Sequence, residues 1–400
     1  MQFFKRVFPL LIVFLLGLAL GFYFVNNQKI PLDKSAEKNT PKAFISEVYD
    51  KIKANYWDNL SDGQLIDMFK TASSALGSPL SSKIESKDEL IKKLDSSKAA
   101  KLVSQVLASL PPAGRSGLYT EKQETALKNT VENVNPEKDL YKDLGLSKGA
   151  SEGAVLEAYE KLPPTQKEQL SYARDVLTQK DKKARYDQKG VEPTIFTKIL
   201  GNTLYLQFKK FSPTSYDEFI KTFDDFKNEA LLNSLVLDLR GNVGGAIDAT
   251  PYFLGLFLGK NQYAYDFYHR GAYEPFKTPT DKLPSLGKYK QMVILVDNAT
   301  QSSAEMMAAS LKRYHLGVVV GVPTKGWGTV ERVFPLENQF EKGEKYSLFL
   351  VHSITLRDDN QPIEGRGVDP DINIKATDWP QQLFSYFRNN QLIDAVKGVL

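Results

Sequence analysis

The sequence predicts an α/β core built on a mixed sheet, preceded by helical regions and a membrane-spanning N-terminal helix. Three observations predict it. In the C-terminal half, short apolar runs such as Leu235–Leu239, Met292–Val296 and Val318–Val322 alternate with stretches of helical periodicity, as buried strands alternate with helices in an α/β sheet. Upstream, Phe44, Val48, Ile52, Leu65, Phe69, Leu90, Leu94, Val103 and Leu107 recur at helical spacing. At the start, every residue from Val7 to Val25 is apolar or a Gly, Pro or Tyr, and at about 1.5 Å per residue such a helix nearly crosses the hydrocarbon core of a bilayer.

Taken in order, Lys5 and Arg6 precede the apolar run. The positive-inside rule then keeps the N-terminus cytoplasmic and puts the rest of the chain on the far side. Bulky Phe and Tyr stand where a cleavage site needs small residues, so an uncleaved anchor is expected rather than a signal peptide. Residues 26–42 are polar and aperiodic, a linker. The helical pattern of residues 43–108 breaks near Gly77–Pro79, then stops at Pro111, Pro112 and Gly114. After Pro193 strands are expected at Thr203–Phe208, Leu235–Leu239, Met292–Val296, Val318–Val322 and Tyr346–Leu356, with helices over 216–232, 246–258 and 303–314. These signals divide the chain into a cytoplasmic N-terminus (1–6), a transmembrane helix (7–25), a linker (26–42), a helical region (43–135), a second helical domain (136–191), the α/β domain (192–376) and a C-terminal helical segment (377–400).

Composition narrows the function. The 52 Lys and Arg against 48 Asp and Glu are spread along the chain, which leaves no basic stripe for nucleic acid. With no cysteine and only His269, His315 and His352, thiol chemistry and a cysteine- or histidine-rich metal site are disfavoured. No metal or organic cofactor is implied. Lipid contact is expected through residues 7–25.

Two stretches carry family resemblances. DLYKDLGLSKGASEGAVLEAYEKL from Asp139, followed by YARDVLTQKDKKARYDQKG ending at Gly190, resembles a J domain, the helical co-chaperone module. Its His-Pro-Asp loop is missing, for no histidine lies between Asp139 and Gly190, so the resemblance implies a fold rather than chaperone stimulation, and the segment is expected to be a four-helix spacer or a protein-docking module. The second resemblance rests on LDLRGNVGG at 237–245, NATQSSAEM at 298–306, GVPTKGWGTVERVFPL at 321–336 and IEGRGVDPDI at 363–372. In order and spacing these resemble the C-terminal processing, or tail-specific, serine peptidases. Ala43–Ser78 is similar to the helical region that precedes their working domains. The resemblance implies an α/β peptidase core, a protein or peptide substrate, and peptide hydrolysis through an acyl-serine.

Carried over by position, the nucleophile is Ser302, three residues before Glu305, and Asp238 and Arg240 are supporting residues. Gly244 and Gly245 suit a turn whose N–H groups face an oxyanion. Each assignment has a structural alternative. Ser302-x-x-Glu305 is also a helix capping box, and Asp238 with Arg240, two apart on a strand, is also a plain ion pair. The family's activating lysine falls at Trp327, and the glutamine that some members carry four residues later is Glu331. A serine without a base is a poor nucleophile. Three resolutions follow: Lys325 supplies an amine from two residues earlier in an extended segment; His352 is the base; or the domain binds protein tails without cutting them.

Overall fold

The computed structural model describes residues 38–400 apart from 358 and 360. The expected anchor at 7–25, the N-terminus and most of the linker lie outside the described residues; among the described residues no helix is long and apolar enough to cross a membrane.

The core is a six-stranded sheet of β2 (Ile195–Leu200), β3 (Thr203–Phe208), β4 (Ser234–Asp238), β7 (Gln291–Val296), β8 (Val318–Gly321) and β11 (Ile372–Asn373), in the order β11-β8-β7-β4-β3-β2. All neighbours run parallel except the β2–β3 hairpin. Alternation along each strand feeds two cores. Leu235, Leu237, Met292, Ile294, Val296 and Val319 join one core with Phe253, Met307 and Leu311 from the helices Thr250–Leu258 and Ser303–Arg313. Val236, Val293, Leu295, Val318 and Val320 face Leu383, Leu392 and Val396 of the helices Trp379–Phe387 and Asn390–Lys397. Because both faces are covered, these strands are continuous apolar runs rather than half-polar ones. The expected helix over 216–232 ends early, at Asp225, and 246–258 is a short 3-10 turn leading into Thr250–Leu258.

A second sheet is antiparallel. β1 (Gly117–Thr120), β10 (Tyr346–Thr355), β5 (Tyr263–His269) and β6 (Ala272–Lys277) lie in that order, and β9 (Thr329–Pro335) also pairs with β10. The helices Pro41–Asn55, Asp62–Ala75 and Ala99–Ser109 bury Phe44, Val48, Phe69 and Leu107 with Phe334, Leu348 and Leu350 of β9 and β10. The region 43–135 therefore shares its core with strands more than two hundred residues later, and it contributes β1 to their sheet.

The segment 136–191 forms four helices, Leu140–Asp143, Glu152–Glu160, Pro164–Leu177 and Lys180–Lys189, around Leu140, Tyr141, Val155, Val176 and Tyr186. Its two ends are clasped: Glu192 N–H donates to Asn133 C=O at 3.0 Å, and Asn133 Nδ2 donates to Glu192 C=O at 2.9 Å. Joined ends mark it as an insertion into the surrounding fold.

Candidate active site

Three loops meet beyond the C-terminal ends of the parallel strands, where open α/β sheets form their sites. Residues 239–246 follow β4, 297–302 follow β7, and 322–328 follow β8. Ser302 stands at the junction. It precedes the helix Ser303–Arg313 with φ 58° and ψ −127°, a region costly for a residue with a Cβ. Neighbouring contacts hold it there. A Cβ built on Gly244 falls 2.6 Å from the Ser302 Cβ, and one on Gly245 falls 2.0 Å from the Phe211 carbonyl oxygen, so the loop closes this tightly only with two glycines, at φ 81° and 137°.

Polar bonds stitch the first two loops together. Gly241 N–H donates to Asp297 Oδ1 at 3.0 Å, Thr300 Oγ1 donates to the Leu239 carbonyl at 2.9 Å, and Gln301 N–H donates to the Asn242 carbonyl at 2.9 Å. Asn242 is fully buried; its Nδ2 donates to Phe208 C=O at 2.7 Å and its Oδ1 accepts from Gly244 N–H at 2.8 Å. The N–H groups of Gly245 and Ser303 have no acceptor among the described residues.

Glu305 ties in the third loop. Its Oε2 accepts from Ser302 N–H and from Trp327 N–H, each at 2.8 Å, and its Oε1 accepts from Thr324 Oγ1 at 2.5 Å and Gly326 N–H at 2.7 Å. The Ser302 and Trp327 nitrogens are thus no farther apart than twice that 2.8 Å bond. Burial raises the Glu305 carboxyl above its ordinary range, against the opposing pull of these four donors. The capping-box geometry is therefore present and also reaches beyond the helix.

Asp238 and Arg240 form an ion pair away from Ser302. Arg240 Nε and Nη2 donate to the buried Asp238 carboxylate at 2.9 and 2.6 Å; Tyr205 Oη donates to it at 2.7 Å, and Arg240 Nη2 also bonds the Val399 carbonyl at 2.7 Å. This arrangement pins the C-terminal helices to the end of β4.

The sequence profile of peptidase family S41 matches residues 202–374, the segment that holds all three loops. The chain carries a peptidase family S41 domain. Carboxy-terminal processing protease CtpA of Bacillus subtilis is 25% identical over 397 residues, which cover 94% of this chain and 78% of that protein. The carboxy-terminal-processing protease of Bartonella bacilliformis is 25% identical over 182 residues, 44% of this chain and 40% of that one. Apart from CtpA, these relatives match this chain over less than half of their own length. Among solved structures, the photosystem II D1 C-terminal processing protease shares the fold with a TM-score of 0.53 at 15% identity, covering 84% of this chain and 93% of that one. These relatives are proteases by name, and a relative from Staphylococcus epidermidis, 26% identical over 198 residues, is named a probable CtpA-like serine protease.

Within the S41 domain the expected bases are placed as follows. Lys325 is exposed; its N–H donates to Thr300 C=O at 2.9 Å, and its amine makes no hydrogen bond or ion pair with a described residue. The extended geometry expected for 325–327 does not occur, because Gly326 takes φ 77° so that two successive N–H groups can converge on Glu305. His352 sits in the bulge of β10, where its ring stacks on His269 with centroids 4.2 Å apart and its Nδ1 bonds Ser353 Oγ at 2.8 Å. It makes no hydrogen bond to Ser302, and burial pushes its pKa down to about 3. Trp327 fills the lysine's place in the motif. Its Nε1 donates to Glu331 Oε1 at 3.1 Å, and the Arg115 guanidinium lies 3.5 Å over its ring.

Asn242, Thr324 and Arg115 are site residues that the sequence did not single out. The first two lie inside quoted motifs, where their buried amide and hydroxyl were the available signal. Arg115 is 249 residues from its partner Glu364 and carries no local signal.

Proposed function

We propose that this protein is a membrane-tethered serine endopeptidase of the tail-specific type, acting on extracytoplasmic proteins through Ser302. The observation that carries the reading is the Ser302 backbone: a strained serine at a helix N-terminus, pressed against a double-glycine turn with two N–H groups beside it that have no acceptor among the described residues. Ser302 Oγ attacks the substrate carbonyl and forms a C–O bond, while its proton passes to a base. The N–H groups of Gly245 and Ser303 are the candidate donors to the oxyanion. Collapse breaks the C–N bond and releases the protonated amine; water then hydrolyses the acyl-serine. Lys325 is the candidate base, since its backbone is bonded to Thr300, two residues before the nucleophile, and active-site hydrogen bonds in ligand-free sites are commonly loose. The names of the relatives support a protein substrate cut near its C-terminus, and the apolar run at 7–25 supports the tether. The four-helix insertion is assigned to protein docking.

One observation favours a second reading, a domain that binds protein tails without cutting them: Trp327 is held in the lysine's place by Arg115 and Glu331. Turnover of a denatured protein and labelling by a fluorophosphonate separate the two. The peptidase reading expects both for the wild type, loss of both for Ser302→Ala, and loss of turnover for Lys325→Ala. Cleavage by Ser302→Ala equal to wild type refutes the nucleophile assignment; wild type inert in both assays leaves the binding reading.

A further inference from the structure

A side chain from outside the S41 segment packs on the third loop of this site. Arg115 lies between the helix Ala99–Ser109 and β1, in a stretch fastened at both ends. The Pro111 carbonyl accepts from the Tyr56 hydroxyl and from Trp57 Nε1, and the buried Ser116 Oγ accepts from Val351 N–H at 3.1 Å. The Arg115 guanidinium stacks on the Trp327 indole, and its Nε and Nη2 donate to Glu364 Oε1 at 3.0 and 2.9 Å. Glu364 uses its other oxygen to accept Gly328 N–H at 2.8 Å. Both charged side chains are largely shielded, with relative exposures of 18% and 14%, so the pair and the stack are little screened by water.

These bonds converge on a single turn. Thr324, Gly326 and Trp327 hold Glu305, which holds Ser302; Gly328 is held by Glu364, and the Trp327 ring by Arg115 and Glu331. An arginine that only cemented the N-terminal helices to the sheet would have no need of the indole face. We propose that Arg115 is a positioning residue of the Ser302 site: by stacking on Trp327 and pairing with Glu364 it fixes the turn 324–328, and so makes the N-terminal helical region part of the peptidase. The kinetic consequence rests on the peptidase reading; the fixing of the turn does not.

Glu331 supplies a reporter. Facing it are Trp327 and Thr329 from its own stretch, Tyr119 from β1, Arg115 from the loop before β1, and Val351 opposite it on β10. Burial raises its carboxyl, and the Arg115 charge opposes that rise. Because the indole N–H is bonded to Glu331, the tryptophan emission of the full-length protein should titrate with it, using Trp327→Phe as the blank.

In Arg115→Met the emission midpoint is expected to move upward and kcat on a denatured protein to fall about tenfold, with KM changed less than about twofold. Arg115→Lys keeps the charge and loses the planar fork, so it is expected to hold the midpoint near wild type without restoring kcat. A midpoint and a kcat that stay at wild-type values in Arg115→Met, with only the melting temperature lowered, overturn the proposal. If Arg115→Met does not fold, Arg115→Lys is read alone, and a wild-type kcat there overturns it. If the wild type neither cleaves nor takes the fluorophosphonate, the peptidase reading fails, and the Trp327 emission maximum of Arg115→Lys, read below the titration midpoint, decides: moved from wild type upholds the fixed turn, unmoved overturns it.

Discussion

Glu331→Gln should remove a pH dependence of stability that the wild type carries. Trp327 Nε1 and Thr329 Oγ1 both donate to a single oxygen of Glu331, Oε1, at 3.1 and 2.5 Å. Burial raises its carboxyl from the ordinary 4.5 to about 7. The native protein therefore keeps a proton that the unfolded chain releases between those values. The sign follows: this contribution to stability is fully present below about pH 4.5 and is lost as pH rises through about 7. A displacement of about 2.5 units at about 1.4 kcal/mol each makes the loss about 3 kcal/mol. Glutamine keeps the oxygen that both donors use and has no proton to release. Urea unfolding of both proteins through this range, with the m-value checked for constancy, should show the variant close to wild type at the acid end and more stable by up to about 3 kcal/mol near pH 8. A variant whose stability follows the wild-type pH slope refutes the reasoning, because the titration would then belong to another group.

Three further changes test the division between site and scaffold. Gly244→Ala puts a methyl 2.6 Å from the Ser302 Cβ at φ 81°; kcat should fall about a hundredfold while circular dichroism stays native, as expected of a displaced nucleophile. Asp238→Asn breaks the buried pair with Arg240 and should cost about 3 kcal/mol in unfolding experiments, with fluorophosphonate labelling per folded molecule unchanged. His352→Ala should leave kcat/KM within about twofold of wild type, since the ring stacks on His269 rather than bonding Ser302; a loss of turnover with native stability would return His352 to the list of bases.

The middle of the parallel sheet was legible because strands buried on both faces cannot hide their apolar runs: those at 235–239, 292–296 and 318–322 fall within a residue of β4, β7 and β8, and the alternation of Thr203–Phe208 marked β3, whereas β2 and β11 at the edges were not expected. β5 and β6 were not, since their faces are mixed and Pro275 sits inside β6. β1 was lost in a polar stretch, being four residues long and made a strand only by pairing with β10. The site shows the same divide. Ser302, Glu305, Gly244 and Gly245 lie in motifs that the family resemblance picks out, whereas the pairing of Arg115 with Glu364 is a product of the tertiary fold. The extended alternation expected for 325–327 does not occur because Gly326 is left-handed, so Lys325 stands as a candidate only through its backbone bond to Thr300.

The two readings of Ser302-x-x-Glu305, helix cap and nucleophile segment, are physically one. A serine at φ 58° carries a backbone strain of about 1–3 kcal/mol, and each charge-assisted bond to the Glu305 carboxylate contributes about 1.5–3 kcal/mol. The cap bond from Ser302 N–H is therefore of the size needed to hold the strained residue, and the remaining three bonds extend that hold to the turn after β8. Two of those three come from main-chain N–H groups, at Gly326 and Trp327, which do not depend on the side chain at 327. A tryptophan can thus stand at 327 while the Ser302 loop keeps its geometry. Residue 327 is where the chemistry of this site is free to change, and Arg115 and Glu331 are the groups that hold what replaced it.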